Sequence, residues 1–518
     1  MATEKASQKI APREARSGLE AWKESELPSP PNTKGLKILG IIGPGAIILG
    51  TSIGSGEWLL GPAAFVKHGL ALLWVTLVAV WLQTIFNTEL IRYTLYTGEP
   101  VVTGFMRTKP GSTFWAWFYA FLYFLQAGWP AWAGAAAGAV FFLFAGRMAG
   151  ATDSDSVYLV GVSTFLVCVA ILVFSGRRIE RTLEILNWVM VLSILSAMLL
   201  LCLIYASPRS WLATAVGFAG YDLSAGRFNF IPQGVDWFLI GAFAAYSGAG
   251  GVANLTVSNY VRDKGYGMGQ KVGFIPAAVG GQKVKLAHLG MIFRVDSESL
   301  KRWRGWWRII SADQWGIFFV GALLGMGLPA ILYTSFIEPG KEIRGLAVAA
   351  ELADAMARRG GAALALVLAL MSVWVLFKTQ LDSLEGMVRA ITDILWSGSD
   401  RIRSWRSGDV RVIYYTVLVI VVIWGVVALR LTQPIILLQM GANIAGIVFI
   451  ISSMHVLYIN TRLLPKELRP PLWRRAALVF IALFYTFFVY LWLMGGFVPD
   501  KEKGFLFNIP RFLGYGAE

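Results

Sequence analysis

The sequence predicts an all-α polytopic membrane protein with about eleven membrane-spanning helices. Its 518 residues are 56% hydrophobic, and a mean hydropathy of +0.60 is too high for a soluble globular protein. The apolar residues fall in long uncharged runs of about 20 residues or more, the length that a helix needs to cross the hydrocarbon. Basic residues concentrate in alternate loops between these runs, as they do in polytopic membrane proteins.

Eleven apolar runs are predicted to span the membrane. They cover residues 36–64, 69–95, 113–145, 157–175, 182–206, 236–260, 312–337, 362–395, 411–430, 433–459 and 472–494. The first five form a repeat over residues 36–206, and the next five form a second repeat over 236–459. An odd number of helices in each repeat inverts the second repeat relative to the first. An extracellular loop, 207–235, joins the repeats, and residues 460–518 hold the eleventh helix and a C-terminal tail.

The net charge of +15 is explained by topology rather than by a nucleic-acid partner, because the basic residues lie on alternate loops. This distribution predicts an integral protein of a bacterial inner membrane, with its N-terminus in the cytosol and its C-terminus outside. Residues 1–35 are polar, lack the apolar core of a signal peptide and are expected to form a mobile cytosolic tail. In the basic cytosolic loop 261–311, the stretch Arg302-Trp-Arg-Gly-Trp-Trp-Arg308 suits either a helix at the membrane interface or a solvated loop.

The first predicted helix is interrupted by a glycine cluster that contains an acidic residue. The interruption consists of Gly54, Ser55, Gly56 and Glu57, within an otherwise apolar segment. Backbone in hydrocarbon must be hydrogen-bonded internally, so such a cluster persists only where it faces protein or a water-filled cavity. It is therefore a candidate substrate-binding site.

The sixth predicted helix contains a second interruption, in Ala244-Ala-Tyr-Ser-Gly-Ala-Gly-Gly251. Its candidate binding residues are Ser247, Gly248 and Gly251. Breaks in helices 1 and 6 occupy corresponding positions of two inverted repeats, which is the architecture of a secondary transporter with alternating access. Close packing of small residues is the alternative reason for glycine in a membrane helix.

Several motifs resemble the natural resistance-associated macrophage protein (Nramp) family of divalent-metal transporters. They are Gly43-Pro-Gly45, Gly54-Ser-Gly-Glu-Trp58, Leu70-Ala-Leu-Leu-Trp74, Gln83 and Tyr96-Thr-Gly98, in the family's order. The family belongs to the amino acid, polyamine and organocation superfamily. The resemblance therefore implies a leucine-transporter-like fold, with two inverted five-helix repeats and broken helices 1 and 6, over the first ten helices of this chain.

The metal-binding residues of the family are replaced in this chain. In the family's Asp-Pro-Gly-Asn motif the Asp and the Asn bind the ion, but the aligned residues here are Gly54 and Glu57. Aligning Asn254 with the family's sixth helix places Gly251-Val-Ala253 over Met-Pro-His, so the thioether and the histidine are missing. Helix 3 has no acidic residue in Leu125-Gln-Ala-Gly-Trp-Pro-Ala-Trp-Ala133, near the place of the family's proton carriers. Transition-metal selectivity and family-type proton coupling are therefore not expected.

The first hypothesis for the site is a carrier for a hard divalent cation. Glu57 is then the candidate metal ligand, and carbonyls freed near Gly54 and Gly248 add oxygens. The remaining groups of a part-hydrated shell come from Ser55, Ser247 and Gln439. Alternatively, Glu57 pairs with Lys67 at the outer mouth of the protein.

Polar residues of helices 6 and 10 complete the candidate site. Gln439 and Asn443 lie one turn apart on one face of helix 10, where the family has a Gln near the ion. Asn254 follows the break in helix 6. Hydrogen bonding between helices is the alternative role for Gln439 and Asn443.

The second hypothesis is a carrier for a small amino acid-like or organic solute. Ile53-Gly-Ser-Gly56 is similar to the Gly-Ser-Gly turn with which amino acid transporters of the same superfamily hold a carboxylate. Exposed N–H groups at the N-terminus of a half-helix accept an anion, and Glu57 then meets an ammonium group.

An intramembrane serine hydrolase built from Ser55 and His455 is a remote third hypothesis. The sequence shows no nucleotide-binding loop and no cysteine or histidine cluster, so we expect no enzymatic activity and no cofactor. We expect a monomer whose partners are the lipid bilayer and a small ion or solute.

Two helices carry charged residues inside apolar stretches. Glu89 and Arg92, three residues apart in helix 2, predict an intrahelical pair. Lys378 and Asp382, four apart in helix 8, predict another. Alternatively, together with Glu385 they line an inner vestibule or take the place of the missing proton carriers.

Overall fold

The computed structural model describes residues 18–31, 43–174, 179–272, 290–343, 345–346, 348–405 and 409–509, with the backbone alone for 179–184 and 359–360. Nine helices in these ranges are long and apolar enough to cross a membrane. Two interrupted helices, at 44–68 and 237–263, bring the number in the described ranges to eleven. The chain is thus an all-α polytopic membrane protein, as the sequence predicts, and we number these helices 1 to 11.

The first repeat consists of helices 1 to 5. Helix 1 comprises Pro44–Ser52, a π-helical segment Ile53–Leu60 and Gly61–His68; helix 2 is Leu73–Thr97 after the 3-10 turn Leu70–Leu72; helix 3 comprises Ser112–Ala127 and Ala131–Ala145; helix 4 is Ser154–Phe174; and helix 5 is Ile179–Tyr205. The break in helix 3 precedes Ala131, after a proline that lacks the N–H group needed to continue the helix.

The second repeat consists of helices 6 to 10, and helix 11 follows it. Helix 6 comprises Trp237–Tyr246 and Val252–Asp263; helix 7 comprises Ser297–Ser311, a π-helical segment Ala312–Phe319 and Val320–Phe336; helix 8 is Ala362–Gly398; helix 9 is Val410–Leu431; helix 10 is Pro434–Arg462; and helix 11 is Leu472–Met494. Between the repeats lie the helix Pro208–Gly217 and an antiparallel pair of strands, Tyr221–Asp222 and Arg227–Phe228. The assignment of loops to the cytosol or the outside stays a prediction.

The aromatic and basic stretch 302–308 is helical as predicted, which excludes the solvated loop, while its place at the membrane interface stays a prediction. It belongs to Ser297–Ser311, which continues directly into the π-helical segment of helix 7. Trp303 and Trp306 are buried, and the aromatic ring of Trp306 packs against that of Tyr266. The stretch is therefore an extension of helix 7, because its tryptophans find an apolar surface on the protein itself.

The N-terminal segment 18–31 is packed against the helices, whereas the sequence predicts a mobile tail over 1–35; residues 1–17 and 32–35 lie outside the described ranges. The strand Lys23–Glu24 pairs in parallel with Met291–Ile292. Leu19 and Leu27 are buried, and the Trp306 indole donates a hydrogen bond to the Pro28 carbonyl (2.9 Å). Apolar burial and backbone pairing together hold this polar segment in place.

Glu99, in the loop after helix 2, connects this N-terminal segment to the bundle. Its carboxylate accepts hydrogen bonds from the Arg107 guanidinium (2.8 Å), the Tyr93 hydroxyl (2.7 Å) and the Gly290 N–H (2.9 Å). Burial by itself would raise the pKa of Glu99, but the charge and hydrogen bonds of Arg107 hold that pKa below its usual value. Arg107 also donates to the Glu20 carbonyl (2.9 Å).

Helix 11 is attached through a second buried carboxylate, Glu89. The predicted pair is present, with Arg92 Nε 2.8 Å from Glu89 Oε2. Arg474 of helix 11 adds a contact of 2.9 Å to Glu89 Oε1, and Asn460 of helix 10 donates to the Glu89 carbonyl (2.8 Å). A buried charge needs such partners, and these ones join helices 2, 10 and 11.

The start of helix 1 is fixed by a carboxylate of helix 7. Asp313 accepts hydrogen bonds from the Gly43 N–H (3.0 Å) and the Gly45 N–H (2.8 Å), two of the donors that a helix start leaves without an intrahelical partner. A Cβ atom at Gly45 would lie 2.7 Å from the Asp313 carbonyl oxygen. The motif Gly43-Pro-Gly45 thus combines a proline that begins the helix with a glycine that lets helix 7 approach.

We expect Asp313→Ala to lower the stability of the protein by about 1 to 3 kcal/mol, because two buried N–H groups lose their acceptor. Asp313→Asn keeps the shape and one oxygen and should lose less. The measurement is thermal unfolding of the purified protein, followed by tryptophan fluorescence. Asp354→Ala is the control, since Asp354 forms only a surface pair with Arg358. Equal melting temperatures for Asp313→Ala and this control would contradict the capping role.

Candidate functional site

A central cavity lies between helices 1, 3, 6 and 8 and encloses about 530 Å³ of empty space, including the part open to solvent. Its polar lining comes from Thr51, Ser55, Gln126, Thr256, Asp382 and Ser383. Its aromatic lining comes from Tyr123, Trp132, Tyr246 and Tyr260. The cavity therefore combines an amphipathic aromatic wall with one acidic side chain, a composition typical of small-molecule sites.

Helix 6 breaks at the predicted place, between Tyr246 and Val252. Gly248, Gly250 and Gly251 adopt φ values of 123°, 84° and 52°, in a region that other residues rarely enter. Ala249, Val252 and Ala253 line the cavity. The N-terminal end of the second half of helix 6 therefore lies at the cavity wall.

Two glutamines satisfy the peptide groups that the break leaves open. The amide nitrogen of Gln83 donates to the Ala245 and Ser247 carbonyls (3.1 and 3.2 Å), and its oxygen accepts from the Gly250 N–H (3.3 Å). Gln126 in helix 3 donates to the Gly250 carbonyl (3.0 Å) and accepts from the Val252 N–H (2.9 Å). Side chains here replace the hydrogen bonds of a continuous helix, as backbone in an apolar interior requires.

Helix 1 is interrupted at the predicted residues. The interruption is a π-helical segment and not the unwound backbone with free carbonyls that the cation hypothesis requires. Residues Ile53–Leu60 form a π-helix, in which each N–H bonds to the carbonyl five residues earlier. The Ser55 hydroxyl donates to the carbonyl of Thr51 (3.0 Å) within the same helix. A Cβ atom at Gly56 would lie 1.8 Å from the Tyr246 carbonyl oxygen, so this glycine lets helix 1 touch the broken end of helix 6.

Glu57 lies outside the lining of the central cavity, and its contact with a substrate stays a prediction. Its side chain is fully buried, and its carboxylate hydrogen-bonds the Ser52 hydroxyl. A Cβ atom at Gly325 of helix 7 would lie 3.3 Å from the Glu57 side chain. The alternative partner Lys67 is excluded, because Lys67 pairs with Glu342 and lies 4.0 Å from Asp236.

The charged residues of helix 8 divide between the cavity and its surroundings. Lys378 and Asp382 form the predicted intrahelical pair, and Asp382 lines the cavity. Its Oδ1 atom has no hydrogen-bond partner among the described residues. Glu385, one turn further on, pairs with Arg389 (2.9 Å) and is absent from the cavity lining.

Of the ten predicted substrate-binding residues, Ser55 lines the cavity. Three others form hydrogen bonds elsewhere: the Ser247 hydroxyl with that of Thr76 (3.1 Å), the Asn254 amide with Asn87 (2.8 Å), and the Asn443 amide with the Phe238 carbonyl (2.8 Å). Gln439 is buried and lies outside the lining.

The glycines Gly54, Gly248 and Gly251 serve close packing beside the cavity rather than lining it. Added Cβ atoms would lie 1.8 Å from the Thr379 hydroxyl at Gly54, 2.5 Å from Gln83 Oε1 at Gly248 and 2.3 Å from Gln126 Oε1 at Gly251. Larger residues at Gly248 and Gly251 would displace the two glutamines that complete the break in helix 6, and a larger residue at Gly54 would displace Thr379 of helix 8.

His455 and Ser55 do not form a catalytic pair. The imidazole nitrogens of His455 hydrogen-bond the hydroxyls of Thr108 (2.9 Å) and Tyr119 (3.1 Å). Ser55 donates to the backbone of its own helix. A serine hydrolase needs its base in contact with the nucleophile, so the third hypothesis is not supported.

Gln126 and the aromatic wall were not predicted from the sequence. Gln126 is an amide in an apolar helix, and a buried polar group in a membrane helix needs a partner, so its position could have indicated a contact with a broken helix. Tyr123, Trp132, Tyr246 and Tyr260 carry no such signal, because aromatic residues are common throughout the chain.

No protein-family model and no curated protein matched the sequence. Among solved structures, the chain is similar to the Eremococcus coleocola manganese transporter in complex with an aromatic bis-isothiourea substituted compound, with 15% identity, a TM-score of 0.61 and coverage of 97% of this chain and 95% of that one. A mutant of the same transporter gives 14% identity, a TM-score of 0.63 and coverage of 95% and 94%. At this identity the likeness shows the fold, which is the leucine-transporter-like fold with two inverted five-helix repeats.

We expect Gln126→Leu to destabilise the protein by about 2 to 5 kcal/mol, because it leaves the Gly250 carbonyl and the Val252 N–H unpaired in an apolar interior. Gln126→Glu keeps an acceptor for Val252 but loses the donor to Gly250, so its effect should be smaller. Thermal unfolding of the purified variants measures both effects. Gln433→Leu, at the exposed start of helix 10, is the matched control. A Gln126→Leu variant as stable as this control would contradict the role of Gln126 in completing the hydrogen bonds of helix 6.

Proposed function

We propose that the protein is a secondary transporter that carries a small organic solute with a protonated nitrogen, such as an amine or an amino acid-like zwitterion, by alternating access. The single observation that carries this proposal is a buried carboxylate, Asp382, in the lining of a cavity with aromatic walls. Its Oδ1 atom has no hydrogen-bond partner among the described residues.

The charge of the cavity favours a cationic group. Asp382 is 4% exposed, and a buried carboxylate oxygen without a partner carries a desolvation cost that a bound cation would offset. One of its oxygens is occupied by Lys378, which leaves room for a single donor. A protonated nitrogen of a solute supplies a donor of this kind.

The aromatic walls favour an organic cation over a bare ion. Trp132 and Tyr246 stack with their ring centroids 6.4 Å apart, and both line the cavity together with Tyr123 and Tyr260. Aromatic faces attract ammonium groups and pack against apolar parts of a solute. A strongly hydrated metal ion would find few oxygen ligands on such a surface.

Two other features of the cavity lining suit a carboxylate of the solute. The indole nitrogen of Trp132 is a buried donor without a partner among the described residues. The second half of helix 6, twelve residues long, begins at Val252 beside the cavity, and a helix N-terminus favours anions. These features make a zwitterion the preferred member of the class.

A hard divalent cation is the other candidate, and the observation that favours it is that the two solved structures described above are of a manganese transporter. In the part of the chain that the structure describes, however, no three acidic, histidine or cysteine side chains converge on one point. Glu57 lies outside the cavity. Calcium and magnesium are held mainly by carboxylate and carbonyl oxygens and by water, and the one carboxylate in the cavity lining is already paired with Lys378.

Transport assays in proteoliposomes test this proposal. The panel consists of radiolabelled amino acids, putrescine, choline and guanidinium, with Mg²⁺ and Mn²⁺ as the inorganic arm. We expect uptake of at least one organic solute, reduced about tenfold or more by Asp382→Asn, because one lost charge-assisted hydrogen bond is worth about 1.4 kcal/mol or more. Asp155→Asn, which alters a surface pair with Arg430, is the control. Uptake of divalent cations alone would overturn the proposal.

Glu57→Gln distinguishes the two candidates further. Because Glu57 is hydrogen-bonded to Ser52 outside the cavity, we expect the variant to retain uptake of the organic solute within about threefold of the wild type, a change of less than 1 kcal/mol. A divalent-cation carrier that uses Glu57 as its ligand would lose transport. Abolished uptake of a divalent cation by a folded Glu57→Gln variant would therefore support the cation hypothesis.

A further inference from the structure

The two carboxylate oxygens of Asp382 have different surroundings. Oδ2 contacts the ammonium group of Lys378, one turn earlier on helix 8, while Oδ1 has no partner among the described residues and belongs to a side chain that lines the cavity. Lys378 is 1% exposed and is absent from the cavity lining. The lysine thus contacts the carboxylate from outside the cavity lining, and Asp382 itself belongs to the lining.

Lys378 lies in a closely packed junction of helices 1, 5 and 8. Its ammonium group also contacts the side-chain oxygen of Asn187 on helix 5, a neutral acceptor. A Cβ atom at Gly50 of helix 1 would lie 1.8 Å from Asn187 Oδ1 and 3.4 Å from Lys378 Nζ. The junction holds the ammonium group in place, and Asp382 supplies its negative charge.

Among the described side chains, most charged groups on the helices packed against helix 8 have charged partners of their own. The Ser52 hydroxyl donates to Glu57 Oε1 on helix 1, whereas Glu57 Oε2 has no hydrogen-bond partner among the described residues. The ion pairs are Asp155 with Arg430, Glu351 with Lys341, Asp354 with Arg358, Arg411 with Asp409, Arg403 with Asp400, and Arg262, Asp263, Glu385, Arg389 and Asp393 among themselves. Within the described ranges, the structure shows Asp382 as the acidic partner of Lys378.

One carboxylate therefore faces two cations when a protonated solute enters the cavity. The solute would bind Oδ1 while Lys378 keeps Oδ2, which places two positive charges on one negative charge in a medium of low dielectric constant. Lysine, unlike arginine, can lose its charge when it is buried. Loss of a proton from Lys378 restores the neutrality of the site.

We propose that a proton on Lys378 and a protonated solute compete for Asp382, so that the carrier exchanges the solute for a proton. On binding, an N–H bond of Lys378 breaks and its electron pair stays on the neutral amine, while the proton passes by way of the Asp382 carboxylate to water in the cavity. Asp382 is ionised before and after this transfer and is balanced first by Lys378 and then by the solute. Release of the solute on the other side of the membrane returns a proton to Lys378. This inference rests on the proposed function and adds its coupling to protons.

Binding of methylammonium, the smallest primary ammonium probe that resembles the lysine head group, tests the exchange in the purified full-length protein. We expect its affinity for the wild type to rise about tenfold per pH unit, because one proton leaves for each methylammonium bound. Calorimetry in buffers of different ionisation enthalpy should report the release of one proton.

Variants separate this exchange from non-specific effects. Lys378→Met should bind methylammonium at least tenfold more tightly than the wild type at neutral pH, without pH dependence and without proton release. Asp382→Asn should bind none. Lys67→Met, which removes a lysine from a pair at the end of helix 1, should behave as the wild type does.

The inference would be overturned if the affinity of the wild type for methylammonium did not change with pH, or if Lys378→Met released as many protons on binding as the wild type does. It would also be overturned if the wild type bound no methylammonium at any pH at which it is folded. If Lys378→Met fails to fold, the pH dependence of the wild type against Asp382→Asn decides the question. Uptake of an organic solute without proton exchange would refute this inference alone. Uptake of divalent cations only would refute the proposed function, and the methylammonium measurements would then decide only whether Lys378 and a bound cation compete for Asp382.

Discussion

The structure depends on one constraint: every peptide group in the apolar interior needs a hydrogen-bond partner. Helix 6 breaks between Tyr246 and Val252, and the break is sustained by Gln83 of helix 2 and Gln126 of helix 3. These glutamines fix the positions of helices 2 and 3 relative to the break. Glycine at position 56 then lets helix 1 touch the Tyr246 carbonyl, and helices 1, 3 and 6 enclose the cavity together with helix 8.

A second constraint governs charge. Carboxylates and basic groups buried among the helices are costly unless paired, and here the pairs also connect helices. Arg262 of helix 6 contacts Asp393 of helix 8 (2.8 Å), and Arg389 of helix 8 contacts Asp263 of helix 6 (3.0 Å). Asp382 differs from these pairs because its side chain lines the cavity while one of its oxygens has no hydrogen-bond partner among the described residues. The proposed function and the proposed proton exchange both follow from that difference.

Much of the fold could be predicted from the sequence, because each signal is local. Runs of apolar residues gave the helices, and glycine-rich stretches gave the positions of both interruptions. The intrahelical pairs of Glu89 with Arg92 and of Lys378 with Asp382 followed from spacing alone. The N-terminal segment 18–31 was predicted wrongly, since its binding surface is formed by residues more than seventy positions away, among them Arg107 and Trp306.

By itself, the sequence determined that the chain crosses the membrane about eleven times and where helices 1 and 6 depart from regular α-helix, because hydrophobicity and glycine act within a few residues. Only the tertiary structure decided that Asp382 rather than Glu57 faces the cavity. The reason is geometric: the π-helical segment Ile53–Leu60 has more residues per turn than an α-helix, so it changes which side chains of helix 1 point inward. The contacts that decide this orientation, such as those of helix 1 with helices 6 and 7 at Gly56 and Gly325, join residues that are far apart in the chain.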